Sequence, residues 1–323
     1  MIGNDITHAA LLLKAGEVVA IPTETVYGLA ANAFNGNAVA AIYRIKNRPQ
    51  FNPLIIHTNS SEKLKGWGLE IPGKMRKLMT HFSPGPVTYL IPASKQIPDI
   101  VTAGTGAVAV RIPGHQATLQ LLSMLDFPLA APSANPSGYI SPTRATHVEE
   151  QLGGSIPYIL DGGECKIGIE STIISFLHER PEILRHGGLS KEKIEHVIGA
   201  VIDQCILNKH ANASINPLAP GMLAKHYSPK KLLLIGNIQH LLQDKNKQRV
   251  AVISFKDVFD DVPVENQFCL SVSGNLDEAA QHLFAAMRQA DRLDVDCIVT
   301  EFFPDKELGR AINDRLMRAA AKE

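Results

Sequence analysis

The sequence has 323 residues, 45% of them hydrophobic and 20% charged, and its 32 lysines and arginines balance 32 aspartates and glutamates. The length exceeds that of one typical domain and predicts about two domains. The composition excludes disordered and fibrous proteins, and the zero net charge excludes an overall electrostatic footprint for nucleic acid.

The first part of the chain alternates between helical and strand patterns. Apolar periodicity predicts helices over Ile6–Lys14, Asn37–Ile45, Ala117–Leu125 and Lys191–Ile198. Short apolar runs predict strands over Val18–Ile21, Pro53–Ile56, Val87–Ile91, Ala107–Ile112, Leu129–Ala131, Thr172–Phe176 and Glu182–Arg185. Frequent proline and glycine breaks make this α/β region too irregular for a doubly wound sheet. We expect an N-terminal domain over residues 1–205 with a twisted mixed sheet.

Residues 206–229 form a predicted linker. Helical and strand periodicity are lost between Asn208 and Pro229, while prolines accumulate. Beyond the linker, strands are predicted over Leu232–Ile235, Val250–Phe255 and Cys297–Phe302, and helices over Ile238–Gln243, Asp277–Leu293 and Leu308–Ala320. Helices between apolar strands are typical of a parallel sheet. Residues 230–323 should therefore form a smaller Rossmann-like α/β domain, although one without the GxGxxG motif of dinucleotide sites.

The cysteines indicate the compartment rather than a metal site. Cys165, Cys205, Cys269 and Cys297 stand far apart, so no CxxC pair is available to bind zinc. Buried thiols in a reducing compartment are the expected state. The N-terminus shows no basic segment leading into an apolar stretch, and no run of about 18 apolar residues follows. We expect a cytoplasmic protein with no membrane segment.

Familiar nucleotide-binding and hydrolase motifs, GxxxxGK[ST], HExxH and GxSxG, are missing. Instead, a buried strand enters the threonine-rich segment Pro22–Leu29, whose hydroxyls suit a polar ligand but also suit backbone capping. Lys46 and Arg48 bracket Asn47 just before a proline-stiffened turn. Two fixed cations suit phosphate oxygens, although charges at a helix end are also commonly solvated. Each motif alone leaves a structural interpretation open.

Polar residues lie at the ends of several predicted strands. Arg111 closes one strand, Ser133 and Asn135 follow another, and Ser171 precedes a third. Strand ends form ligand crevices in open α/β sheets. Serine and asparagine are also the commonest turn residues, so each position taken singly is more typical of a turn.

Together, these segments resemble the YrdC-like family in its long form, which carries a C-terminal domain. The similarity runs through Pro22–Leu29, Lys46–His57, Arg111–Pro113, Ala131–Asn135, Glu170–Thr172, Leu184–Arg185, Pro220–Pro229 and Leu308–Ala311, and so covers nearly the whole chain. Two positions depart from the family pattern. Asn47 replaces a glycine, which the tolerance of asparagine for left-handed backbone should absorb, and Leu223 replaces a basic linker residue.

The resemblance implies a twisted α/β sheet around a large concave cavity, closed by the linker. It also implies synthesis of L-threonylcarbamoyl-AMP from L-threonine, bicarbonate and ATP, with release of pyrophosphate. The residues implied to bind L-threonine are Thr25, His57, Arg111, the Ala131 backbone and Ser171. Those implied to bind ATP are Arg48, Asn52, the Ala107 backbone, Ser133, Ser141, Arg185 and Tyr227. The implied catalytic constellation is Lys46, Arg48, Ser133 and Asn135.

The implied chemistry needs cations rather than a nucleophilic side chain. A carbamate made from the threonine amine would attack the α-phosphorus of ATP, and the two anions repel each other. Lys46, Arg48, Arg185 and Mg²⁺ are expected to offset that repulsion. Mg²⁺ should enter with the ATP phosphates, without protein ligands of its own. The expected recipient of the product is a transferase complex that makes threonylcarbamoyladenosine in tRNA.

Two other functions occur on related domains. The carbamoyl-transfer protein of hydrogenase maturation should also carry cysteine-rich zinc fingers and an acylphosphatase segment, and neither fits this chain. An RNA-binding or ribosome-assembly module is the alternative from a different class. Zero net charge and only 6% aromatic residues argue against it.

Overall fold

A computed structural model describes residues 1–207 and 218–321. Residues 208–217 of the predicted linker lie outside the described residues. In chain order, the strands are β1 Ile2–Gly3, β2 Val19–Ile21, β3 Gly28–Asn32, β4 Ile55–His57, β5 Val87–Pro92, β6 Ala107–Arg111, β7 Leu129–Ala130, β8 Tyr158–Leu160, β9 Thr172–Ser175, β10 Glu182–Arg185, β11 Ile202–Asp203, β12 Leu232–Ile235, β13 Val250–Ser254, β14 Gln267–Cys269 and β15 Cys297–Thr300.

The helices alternate with these strands. They are α1 Ile6–Lys14, α2 Gly36–Lys46, α3 Ser61–Gly66, α4 Gly73–Phe82, α5 Asp99–Thr102, α6 Gln116–Ser123, α7 Ala145–Leu152, α8 Lys191–Ile198, α9 Gln204–Leu207, α10 Ile238–Leu242, α11 Leu276–Arg292 and α12 Gly309–Ala320. In the described part of the chain, no helix has the length and apolar character needed to cross a membrane.

Eleven strands form one large mixed sheet in the order β1-β8-β2-β3-β7-β4-β6-β5-β9-β10-β11. Strand β4 runs parallel to β6, β5 runs antiparallel to β6, and β9 runs parallel to β5 and antiparallel to β10. The end of β6, the start of β9 and the end of β10 therefore lie at the same edge. The predicted α/β fold with a mixed sheet is confirmed.

Strand β3 occupies part of the segment that the sequence pattern presents as a turn. Its sequence, Gly-Leu-Ala-Ala-Asn, has low intrinsic strand propensity. It pairs with β2 on one side and β7 on the other, and its residues are almost entirely buried. Pairing on both sides outweighs the local preference. Helices α3, α4, α5, α7 and α9 and strands β1, β8, β11 and β14 are likewise missing from the prediction.

Helix α2 ends in the turn that separates the two predicted cations. Asn35 caps its start by accepting hydrogen bonds from the amides of the next turn. At its end, Asn47 adopts left-handed backbone with φ 51° and ψ 45°. The expectation that asparagine accepts left-handed backbone at this position is confirmed. The turn leaves Lys46 on the buried face of α2, and Arg48 follows beyond the end of the helix.

The C-terminal part contains a separate four-stranded sheet in the order β12-β15-β13-β14, with every pair parallel. Helix α11 buries a continuous apolar face that includes Leu283, Phe284 and Met287. Helix α12 buries Ile312 and Leu316 in the same cluster. The predicted parallel α/β arrangement of this part is confirmed.

The two sheets share a buried interface. Val26 and Ile169, from the large-sheet part, belong to the same apolar cluster as Phe284 of α11. Gly168 has φ 77°, and its backbone lies directly against α11. A Cβ at Gly168 would lie 2.4 Å from the carbonyl oxygen of Gln281, so only glycine fits this contact.

Candidate active site

One face of the large sheet carries a small cavity. Side chains alternate along a strand, so Ile55 and His57 of β4 face the cavity while Ile56 packs into the main core. Strand β6 brings Ala107 and Arg111 to the same face, where Ala107 packs with Ile55. The cavity measures about 50 Å³. It lies over the sheet face, and not only at the strand ends where the sequence places it.

The predicted site residues divide into two groups. In the cavity wall lie Arg48, His57, Arg111, Ala131, Ser133, Ser171, Arg185 and Tyr227. Buried outside the wall lie Thr25, Lys46, Asn52, Ala107, Asn135 and Ser141. The wall also contains residues outside the predicted set, namely Thr23, Val26, Gly28, Ile55, Pro132, Glu170, Pro220, Gly221 and His226.

The threonine-rich turn stabilises itself. The Thr23 hydroxyl oxygen lies 2.9 Å from the Thr25 hydroxyl oxygen and accepts from the amides of Thr25 and Val26, each at 3.2 Å. The same hydroxyl donates to the Val26 carbonyl at 2.6 Å. Thr23 reaches the cavity, whereas Thr25 is fully buried behind it. Thr23 therefore caps backbone amides as one interpretation of the sequence expected, but the turn leads into strand β3 and not into a helix. Thr23 is the hydroxyl that the turn presents.

Arg111 is paired with a buried carboxylate. Its Nη2 lies 2.7 Å from Oε1 of Glu24, and both side chains are at most 9% exposed. Its Nε also donates to the carbonyl of Gly85 at 3.4 Å. The other carboxylate oxygen of Glu24 has no hydrogen-bond partner within the described ranges. The sequence does not predict this pair because its members are 87 positions apart.

His57 is held neutral beside Arg111. Burial, with the Arg111 charge adding to it, lowers the pKa of His57 to about 3. Its Nδ1 is buried and has no hydrogen-bond partner in the described part of the chain. A neutral imidazole offers one donor and one acceptor nitrogen, which suits a ligand hydroxyl or amine.

Lys46, which the resemblance implies to be catalytic, does not line the cavity. Its side chain is 1% exposed, and its ammonium donates to the carbonyls of Ser133, at 2.5 Å, and Asn135. Asn135 in turn donates through Nδ2 to the carbonyls of Pro136 and Tyr139. Burial lowers the pKa of Lys46 well below its usual value. Lys46 and Asn135 shape the turn that presents Ser133.

Arg48 lies in the wall and is fixed by Asn52. Its Nη2 donates to Oδ1 of Asn52 at 2.6 Å and to the Pro53 carbonyl at 2.8 Å, and its Nε donates to the Asn52 carbonyl at 3.1 Å. Tyr43 supports this turn by donating its hydroxyl to the same Asn52 carbonyl at 3.0 Å. Burial lowers the pKa of Arg48 to about 10, so the guanidinium stays charged at neutral pH.

Arg185 joins the sheet to the linker. Its Nη2 donates to the carbonyl and the hydroxyl of Ser171 at 2.9 and 3.3 Å, and its Nη1 donates to the Pro220 carbonyl at 3.0 Å. Ser171 also shares a 2.7 Å hydrogen bond with the Thr88 hydroxyl. Burial lowers the pKa of Arg185. Carbonyl and hydroxyl oxygens solvate this guanidinium, and they leave its charge undiminished.

Glu170 supplies a carboxylate to the cavity wall. Its Oε1 accepts from the Ser141 hydroxyl at 2.6 Å, and its Oε2 accepts from Nε of Arg315 on α12 at 3.0 Å. Burial opposes ionisation, but the charges of Arg315 and Arg185 hold the pKa of Glu170 below its usual range. Ser141 therefore lies behind the wall and holds the wall residue Glu170 by a hydrogen bond.

Tyr227 forms part of the roof. Its backbone is left-handed with φ 61°, its ring stacks on Phe284 at 5.5 Å, and the His226 ring meets its edge at 4.1 Å. The guanidinium carbon of Arg315 lies 5.3 Å from the ring centroid. The Tyr227 hydroxyl is buried with no hydrogen-bond partner in residues 1–207 and 218–321. An unpaired buried hydroxyl at a cavity points to a ligand.

A group of ligand-type side chains lies outside the cavity wall. The ligand atoms of His186, Asp203 and Cys205 lie within 4.8 Å of one another. Asp203 already pairs with His186 at 3.1 Å and with Lys191 at 3.7 Å. Burial raises the pKa of the Cys205 thiol to about 12. Ion pairing and a protonated thiol make this a structural network.

The chain is thus an α/β protein whose arginine-lined cavity suits a small ligand bearing carboxylate or phosphate groups. Residues 11–187 match the Sua5/YciO/YrdC family, described as telomere recombination, and residues 189–321 match the C-terminal domain of threonylcarbamoyl-AMP synthase. The chain belongs to this family, in the long form that carries the C-terminal domain.

Relatives of similar length support the assignment. The chain is 40% identical to threonylcarbamoyl-AMP synthase of Pyrococcus abyssi over 97% of this chain and 93% of that protein. It is 41% identical to threonylcarbamoyl-AMP synthase of Bacillus subtilis over 98% and 92%. The crystal structure of P. abyssi Sua5 complexed with L-threonine matches with a TM-score of 0.92 and 39% identity, over 99% of this chain and 97% of that chain.

Proposed function

We propose that this chain is a nucleotidyltransferase that makes L-threonylcarbamoyl-AMP from L-threonine, bicarbonate or CO2, and ATP. The observation that carries the proposal is the convergence of buried Arg48, Arg111 and Arg185 on one cavity. Such a wall suits two anionic substrates that must meet. A relative that is 39% identical and shares the fold over nearly its full length has been crystallised with L-threonine.

The reaction needs positioning and charge, not a protein nucleophile. The threonine amine attacks the carbon of CO2 and loses a proton, which gives a carbamate. A carbamate oxygen then attacks the α-phosphorus of ATP, the bond from that phosphorus to the bridging oxygen breaks, and pyrophosphate leaves with the electron pair. Catalysis then comes from holding the two anions in line and from fixed cations around them.

The threonine end of the cavity lies around Arg111. In the proposed complex, Arg111 binds the threonine carboxylate, and neutral His57 and the Ser171 hydroxyl contact its polar groups. Ala131 contributes its backbone, and its amide already donates to the Ile55 carbonyl at 3.0 Å. Thr25 acts through Thr23, with which it shares a hydrogen bond. Small residues such as Gly28 and Ala131 leave room in this wall for a ligand of threonine's size.

The nucleotide end lies around Arg48 and Arg185. These guanidiniums would bind the phosphates, with the Ser133 hydroxyl and the Tyr227 hydroxyl as further polar contacts. Asn52 holds Arg48 in place, and Lys46 with Asn135 holds Ser133. Ala107 packs in one apolar cluster with Ala219 of the linker. These buried groups set the geometry of the wall.

We propose that Mg²⁺ enters with ATP. The wall carboxylate, Glu170, already engages both of its oxygens with Ser141 and Arg315. The described wall thus offers Mg²⁺ no ready carboxylate ligand, and the ATP phosphates would hold the ion. When bound there, Mg²⁺ supplies positive charge to the triphosphate.

The linker would act as a cover for the cavity. A cavity of about 50 Å³ is far below the roughly 300–1,000 Å³ of small-molecule sites. The linker residues Pro220, Gly221, His226 and Tyr227 must therefore move to admit ATP. We propose an N-terminal catalytic domain over 1–205, a covering linker over 206–229 and a C-terminal domain over 230–323. A chain ending after Cys205 should bind ATP more weakly and release product early; equal ATP affinity and turnover would contradict this role.

The product is a mixed anhydride, which reacts with water. An enclosing cover would protect it until transfer. We propose that a cytoplasmic transferase complex receives it and modifies tRNA to carry threonylcarbamoyladenosine.

The decisive experiment measures pyrophosphate. Protein is mixed with ATP, Mg²⁺, L-threonine and bicarbonate, and each component is omitted in turn. Pyrophosphate should require all of them, and Arg48→Ala should abolish most of it without unfolding the protein. Pyrophosphate formation that is indifferent to threonine would contradict the proposal. RNA binding with steep salt dependence and no ATP turnover would favour the RNA-binding alternative.

A further inference from the structure

We infer that Arg315, contributed by the C-terminal domain, is a positioning residue of the nucleotide end of the cavity. It neutralises the wall carboxylate Glu170 and holds the Tyr227 ring, so that the cavity can accept a polyphosphate. The inference rests on the proposed function for its choice of ligand, ATP. It assigns the C-terminal domain an indirect part in substrate binding, through Glu170 and Tyr227.

Arg315 makes a set of contacts that points from α12 toward the cavity. Its side chain is fully buried. Its Nε donates to Oε2 of Glu170 at 3.0 Å, and its Nη1 donates to the His186 carbonyl at 2.8 Å and to Asp314 at 2.9 Å. Its Nη2 is buried with no hydrogen-bond partner in the described part of the chain. These hydrogen bonds fix the orientation of the buried Arg315 guanidinium.

The charge of Glu170 explains why the cavity needs this arginine. Glu170 stands in the same wall as Arg48 and Arg185, where phosphates would bind. A carboxylate there repels a polyphosphate and competes for the arginines. Arg315 takes up one carboxylate oxygen while Ser141 takes up the other. With both oxygens engaged, Arg48 and Arg185 remain available to the nucleotide.

The same arginine fixes the roof. Its guanidinium carbon lies 5.3 Å from the centroid of the Tyr227 ring, and Phe284 stacks on that ring at 5.5 Å. The contact is a cation–π interaction, which strengthens when both groups are dry. Phe284 lies on α11 and Arg315 on α12, so the C-terminal domain holds the tyrosine from both helices. The tyrosine hydroxyl is thereby aimed at the cavity.

The test compares full-length Arg315→Met, Arg315→Lys, Glu170→Gln and the double variant Arg315→Met/Glu170→Gln. ATP affinity is measured by calorimetry, separately from turnover, and KM is measured for ATP and for threonine. Arg315→Met should weaken ATP binding roughly 10- to 100-fold and raise the KM for threonine much less. Arg315→Lys should lie between it and the unchanged protein. The double variant should recover much of the lost affinity, because the uncompensated carboxylate is gone.

Arg292→Met is the matched control. Arg292 also pairs across the interface, with Glu150, but both side chains are about half exposed and lie outside the cavity wall. It should leave ATP binding unchanged. An Arg315→Met protein that loses ATP and threonine binding equally, or a double variant no better than Arg315→Met, would reduce Arg315 to a domain anchor and overturn the inference.

Two further outcomes keep the result decisive. If Arg315→Met does not fold, Glu170→Gln alone carries the test: it should bind ATP at least as tightly as the unchanged protein, and a tenfold loss would refute the charge argument. If the unchanged protein binds ATP but its pyrophosphate release ignores threonine, the proposed function fails, while the ATP-binding comparison still decides the role of Arg315.

Discussion

Two buried arginines on the same sheet face, Arg111 and Arg185, are held in different ways. Arg111 is paired with a carboxylate, Glu24, at 2.7 Å. Arg185 donates to the carbonyls of Ser171 and Pro220 at 2.9 and 3.0 Å. A carboxylate cancels the charge of its partner, whereas carbonyl dipoles solvate a charge and leave it in place.

The difference matches the ligand proposed for each end. Threonine brings a single carboxylate, and a neutralised arginine can hold it by geometry without a large excess of charge. ATP brings several negative charges, and the arginines at its end must keep theirs. The charge that a buried arginine presents to a ligand thus depends on the kind of oxygen around it as much as on its burial.

Glu24→Ala should have the largest effect on stability. It leaves Arg111 as an uncompensated buried charge, which costs about 3–5 kcal/mol of the free energy of unfolding. Glu24→Gln keeps a hydrogen-bond acceptor and should cost less. Urea denaturation measures both. The control Glu164→Ala breaks the exposed pair with Arg144 and should cost about 0–1 kcal/mol. If Glu24→Ala loses no more stability than this control, water reaches the Glu24–Arg111 pair.

Arg185→Met should have the largest effect on turnover. It removes a charged donor that is proposed to bind the phosphates, and a loss of roughly 10²- to 10³-fold in turnover is typical of such a change. The KM for ATP should rise more than the KM for threonine. Steady-state pyrophosphate release measures both, with the exposed Arg180→Met as the control. A threonine-selective defect would place Arg185 at the other end of the cavity.

The buried histidines should make the protein sensitive to mild acid. Burial lowers the pKa of His57 and of His226 to about 3, below the usual 6.5. The unfolded chain therefore takes up protons first, and stability present above pH 6.5 is lost as pH falls toward 3. Each histidine contributes a slope of up to about 1.4 kcal/mol per pH unit. The urea concentration at the unfolding midpoint, measured between pH 7.5 and 5, should depend less on pH in His57→Gln and in His226→Gln. An unchanged pH dependence would show that these rings are hydrated.

Tyr227→Phe should give the smallest effect and the most specific one. The tyrosine hydroxyl is buried without a partner in the described residues. Removing it should weaken ATP binding by about 2- to 10-fold while leaving stability equal or slightly higher. Calorimetry and thermal unfolding test the two halves. Tyr89→Phe is the control, because the Tyr89 hydroxyl already bonds Ser83 at 3.0 Å. A stability loss in Tyr227→Phe would show that the hydroxyl has a structural partner.

Local pattern predicted much of the fold and part of the wall. The helix Lys191–Ile198 and the strand pair before it are as predicted, because a serine cap, a terminal glycine and alternating apolar residues are all local signals. The wall positions Arg111, Ser133 and Ser171 could be found because they stand at strand ends. Alternation along β6 explains why Ala107 and Arg111 share a face.

Residues that depend on distant partners could not be predicted. Glu24 meets Arg111 across 87 positions, and Glu170 meets Arg315 across 145. No local spacing encodes such a pair. For a related reason, the sequence could not show where the Lys46 side chain lies. It shows the charge, but not the two carbonyls that bind the ammonium outside the cavity wall. Strand β3 exists through its neighbours and not through its own composition.

Gly168 gives the contact between the domains an evolutionary consequence. It stands two positions before Glu170, and its nearest neighbours are main-chain atoms of Gln281 and Ala280 in α11. The loop that carries the wall carboxylate is thus aligned by the course of a helix, whatever residues that helix displays at the contact. Side chains of α11 are free to diverge among descendants there, while a single added methyl at Gly168 would separate the domains. A substitution at Gly168 is therefore expected to reduce activity even when every residue of the cavity wall is unchanged.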